Sequence, residues 1–114
     1  MQRVQVIRME SEYVPAGGSG SVVFLQVPPD VVRGRVTGFI FEVKPSVVDI
    51  NIRIVDRDAA IPYWDVQLKG SFSTQHTFPV DVDIRPNMEL KAVITNNATV
   101  PVSVTVGAVA FFER

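Results

Sequence analysis

Val48-Asp-Ile-Asn-Ile-Arg-Ile-Val55 decides the class of this fold. Val48, Ile50, Ile52 and Ile54 fall on one side of a two-residue period, and Asp49, Asn51 and Arg53 fall on the other. In an extended strand successive side chains point to opposite faces, so this stretch has one dry face and one wet face. Its residue types agree with that reading. Branching at Cβ costs rotamer freedom in a helix and packs well on a pleated surface. The bias extends to the whole chain, where 22 valines and 8 isoleucines stand against 3 leucines and 7 alanines.

The same period predicts strands over about Gln2–Met9, Ser21–Val27, Arg35–Lys44, Tyr63–Leu68, Phe72–Phe78, Val80–Ile84, Met88–Thr95 and Val102–Phe112. Prolines and glycines punctuate them. Pro15–Gly20 reads as a flexible loop, Pro28-Pro29-Asp30 and Pro45 as strand ends, Lys69-Gly70 and Asn96-Asn97-Ala98 as turns, and Pro79 as a break between two strands. With Val48–Val55 this makes nine short strands, which predicts an all-β, antiparallel sandwich or barrel. A length of 114 residues fits a single domain over 1–114 and suffices for a core without staples.

Composition excludes several chemistries. The chain has no cysteine, hence no disulfide, thiolate metal site or cysteine nucleophile, and it has one histidine. Eleven basic and twelve acidic side chains give a net charge of -1, with no basic run to neutralise phosphates, so no nucleic-acid partner is expected. No apolar run is long enough for a membrane helix, and the first ten residues lack a hydrophobic signal core. The expectation is a small, complete protein made in the cytoplasm, with no membrane partner.

Few residues are candidates for chemistry. His76 lies in a predicted strand, and Ser73 falls on the opposite face, so no local nucleophile–base pair exists. Asp56, Asp58 and Asp65 are oxygen donors near one loop, but Arg57 intervenes and no calcium-loop spacing is present. Asp81 and Asp83 share a strand face without the flanking cleft that a glycosidase pair needs. Asn97-Ala98-Thr99 matches a glycosylation sequon and reads as a turn. Gly17–Gly20 lacks the lysine and the helix of a phosphate loop. No catalytic residue, metal or cofactor is therefore expected. Tyr63 and Trp64 form an aromatic pair able to stack on a ligand such as a sugar ring, or to plug the core.

The segments Val48–Asp56, Arg85-Pro-Asn-Met-Glu-Leu90, Ala92-Val-Ile-Thr-Asn-Asn97 and Val102–Phe112 together resemble the small jelly-roll structural proteins of viruses and bacteriophages. That group includes decoration, cement and tail or neck accessory proteins. The resemblance implies a jelly-roll-like sandwich of about eight or nine strands and a non-enzymatic component of a virion. Its partners would be further copies of itself, most simply as a trimer, or a capsid or tail protein. A carbohydrate-binding or adhesion module is the alternative, resting on Tyr63 and Trp64.

Strand patterning supports self-association independently. Val22-Val-Phe-Leu25 and Phe39-Ile-Phe41 carry apolar groups at both parities. So does the last strand, where Val102, Val104 and Val106 predict a core face and the opposite parity turns from Ser103 and Thr105 to Val109 and Phe111. A small sandwich has one interior, so the excess apolar surface must meet water, a covering loop such as Pro15–Gly20, a partner or a ligand, and a large apolar patch is rarely left bare. Phe39, Phe41, Val109 and Phe111 are the expected interface residues.

Overall fold

A computed structural model describes residues 3–45, 47–56, 62–71 and 76–114, with the side chains of 47, 48 and 62–71 outside that description. The described residues form eight strands: β1 (Arg3–Val14), β2 (Ser19–Gln26), β3 (Arg33–Lys44), β4 (Val47–Asp56), β5 (Pro62–Ser71), β6 (His76–Ile84), β7 (Glu89–Asn96) and β8 (Val102–Glu113). All pairings are antiparallel.

The topology is that of one long hairpin folded over. β4 pairs with β5, β3 with β6, β2 with β7 and β1 with β8, so each strand meets its opposite number. Rolling this ribbon adds two pairings, β3–β8 and β4–β7. Two four-stranded sheets result, ordered β1-β8-β3-β6 and β2-β7-β4-β5. This is a jelly roll, the two-sheet solution that lets antiparallel strands share one interior.

The alternating residues of β4 behave as their pattern dictates. Ile50, Ile52 and Ile54 are completely buried. They face Val102, Val104, Val106, Ala108, Ala110 and Phe112 of β8 in the core between the sheets. Phe24 meets Phe39 edge-on with centroids 6.1 Å apart.

Four elements differ from the sequence-based reading. β1 runs to Val14, because all twelve of its residues find partners on β8. Pro15–Gly18 is a tight turn, closed by the Gly18 amide on the Pro15 carbonyl at 3.0 Å, with Gly17 at φ 68°. Lys69 and Gly70 lie inside β5, opposite Asp49 and Val48. Pro79 does not break its strand, since β6 is a sheet edge, where a missing N–H is tolerated. The strand expected over Phe72–Phe78 therefore joins the next one, and its residues 72–75 lie outside the described residues.

Candidate interaction surface

The register of β1, β8, β3 and β6 sets side chains in rows on the outer face of their sheet. From one end, the first row is Arg3, Glu113 and Arg33. The second is Gln5, Phe111, Arg35 and Asp83. The third is Ile7, Val109, Gly38 and Pro79, and the fourth is Met9, Gly107, Ile40 and Thr77. Ser11, Thr105 and Glu42 follow, then Tyr13, Ser103 and Lys44. The two middle rows are apolar and the ends are polar.

Ile7 is 56% exposed and Met9 46%. Val109 and Phe111 are half-buried beside them. Ile40 is 5% exposed yet stands outside the core cluster, because it packs on this face between Gly107 and Thr77. Gly107 keeps the face low, since a Cβ there would stand 2.6 Å from the Arg8 carbonyl oxygen.

Phe39 and Phe41, expected at an interface, are instead completely buried. Their parity points them into the sandwich, where Phe41 packs on Phe78 at 5.6 Å, and Ile40 is the outer residue of that trio. The excess apolar pattern in β2 also has an internal explanation. A bulge between Val23 and Leu25 lets Phe24 and Leu25, neighbours in sequence, both enter the core.

Charged groups frame one end of the face. Arg33 pairs with Glu113, and Arg35 pairs with Asp81 and, at 3.1 Å, with Asp83. Asp81 and Asp83 are thus partners of an arginine on an exposed sheet. The Arg3 guanidinium lies over the Phe111 ring, 4.4 Å from its centroid. Arg3, Arg33, Arg35, Asp83, Phe111 and Glu113 border a hollow of about 380 Å³.

Asp56 is 1% exposed and paired with Arg85, so it is a structural ion pair and not a donor in an open calcium loop. Asp58 lies outside the described residues, and so does the side chain of Asp65. Among the described residues no three acidic or histidine side chains gather to hold a metal. His76 is exposed at the start of β6, and Ser73 lies outside the described residues. Tyr63 and Trp64 sit in β5, and their side chains are likewise outside the described residues. Asn97 is an exposed turn residue whose amide donates to the Asp49 carbonyl at 2.9 Å.

The sheet edges are guarded. On β1, Arg8 and Glu10 share the parity of Val4, Val6 and Val14, and line a hollow with Phe24 and Leu25 of β2. Charges at core parity, the β2 bulge and Pro79 in β6 all discourage edge-to-edge pairing. Access to this sheet is therefore through its outer face.

No protein-family model matches the chain, and no curated protein sequence does. Solved structures are similar in fold. A chain of the acidic stable capsid structure of Helicobacter pylori bacteriophage KHP30 superposes with a TM-score of 0.65 at 13% identity, over 98% of this chain and 92% of its own. A chain of the cyanophage Pam1 capsid asymmetric unit gives 0.61 at 18% identity, over 96% and 85%. The Yersinia pseudotuberculosis-derived mitogen gives 0.53 at 8% identity, over 92% and 86%. These likenesses establish the jelly roll, a fold that serves capsids and a mitogen alike.

Proposed function

We propose that this chain is a non-enzymatic assembly protein of a virus or bacteriophage particle, a capsid decoration or accessory component located in the virion. It works as a homo-oligomer, a trimer if the virion resemblance extends to its symmetry, through Val109, Phe111 and the apolar rows around them. The observation that carries this reading is the uncovered apolar strip of Ile7, Met9 and Val109 on a fold shared with two phage capsid chains.

Size supports it. Strands of up to twelve residues at about 3.3 Å per residue and about 4.8 Å spacing make a face of roughly 600–750 Å². A stable association buries about 800 Å² per partner, so this face and its rim nearly suffice. The guarded edges favour face packing over strand addition.

Light scattering behind size exclusion should give a multiple of 12.6 kDa, threefold for the trimer. Ile7→Asp should reduce the mass to that of one chain with an unchanged far-ultraviolet spectrum, because a carboxylate at the contact would lose its water. A wild-type protein that stays at one chain mass at tens of micromolar would refute the oligomer. Failure to co-sediment with any capsid or tail protein of its particle would refute the virion role.

A further inference from the structure

We infer that the hollow bounded by Arg3, Arg33 and Phe111 is a receptor for a carboxylate carried by another protein chain, at the rim of the apolar face. The inference rests on the assembly reading only in taking a protein as occupant.

Three arginines converge there from two strands, and each is used differently. Arg35 is committed to Asp81 and Asp83. Arg33 gives its Nε–H to Glu113, and its two terminal nitrogens have no hydrogen-bond partner among the described residues. Arg3 makes no ion pair among the described residues and is held in place by the Phe111 ring. An aromatic platform under a guanidinium fixes its plane without consuming its donors. Two oriented guanidinium groups with unused N–H donors thus border a hollow of about 380 Å³.

The backbone is shaped to the same end. Gly34 lies in the wall, and a Cβ there would stand 2.2 Å from the Phe111 carbonyl oxygen. The glycine lets β3 and β8 close up beneath the two arginines. The Phe111 ring is its apolar side.

Unused arginine donors in a planar fork suit an oxyanion, and a carboxylate accepts two of them at once. Asp83 and Glu113 on the walls, with a whole-chain charge of -1, disfavour a polyanion such as nucleic acid. One carboxylate beside an apolar group matches both the charge and the ring. Arg and aromatic side chains are also the types that dominate binding energy at protein contacts.

The test is a titration of the full chain with N-acetyl-phenylalanine and with its uncharged amide, followed by NMR at the Gly34 amide and the arginine Nε–H groups. The acid should give saturable shifts at Gly34, Arg3 and Arg33, and the amide should bind at least about tenfold more weakly. Arg3→Gln, at a surface position, should remove that difference while the rest of the spectrum is preserved. Equal shifts from acid and amide, an Arg3→Gln variant that still prefers the acid, or tighter binding of a short oligothymidylate would each overturn the inference. The readout needs one chain only. A monomeric protein that passes this test would refute the oligomer while leaving the receptor standing, and an oligomer that fails it would do the reverse.

Discussion

Asn96, at the end of β7, ties two turns together from a buried position. Its side-chain N–H groups reach the carbonyls of Val14, Pro15 and Val100 at 3.3, 3.2 and 2.9 Å, and its oxygen accepts the Ala98 amide at 2.9 Å. Removing it strands the Val14 carbonyl in a buried place and three more backbone groups in partly buried ones. Asn96→Ala should therefore cost about 2–3 kcal/mol, read from the urea midpoint. Asn96→Asp should cost more, since it sets a carboxylate against three carbonyl oxygens. An Asp variant as stable as wild type would contradict this account. The turn was legible in Asn96-Asn97-Ala98, but which asparagine is buried was not. Val14 and Pro15 come from the far end of the chain, and no local pattern reports them. Arg3 over Phe111 escaped for the same reason, because the contact exists only once β1 and β8 are in register.

At the scale of elements, β4 was readable because a single face is buried and no bulge disturbs its period between Ile50 and Ile54. β3 and β2 were misread where a bulge shifts parity. Thr37 interrupts the register between Val36 and Gly38, and Phe24 does so in β2. A sequence period counts residues and cannot register an extra one. β6 was split at Pro79 because edge and central strands look alike until the sheet order is known. The order also explains β1, a twelve-residue edge whose core parity is broken by Arg8, Glu10 and Glu12. Replacing Arg8 and Glu10 with valine should run an apolar stripe from Val4 to position 10 on an open edge and make the protein turbid on storage, with a rise in thioflavin fluorescence. If the double variant remains as clear as wild type, these charges do not protect the edge.

At the scale of the whole molecule, the folded-over hairpin imposes an order on synthesis. β1 leaves the ribosome first, yet its partner on this sheet is β8, which leaves last. β8 also separates β1 from β3, so until it emerges neither of those strands has its full set of neighbours. A nascent chain can close the inner pairings β4–β5 and β3–β6 early, but not the interior that Val102, Val104 and Val106 line. Non-local pairing of this kind is slow, on the order of milliseconds to seconds in related β topologies. Arrested chains that stop before Val102 should be digested by protease, and chains extended well past Glu113 should resist it. Resistance before β8 is released would mean that the first seven strands stand alone. The interior thus closes only once β8 has emerged. Until then, the apolar face that β8 will cover stays open to water and to any other unfinished chain nearby.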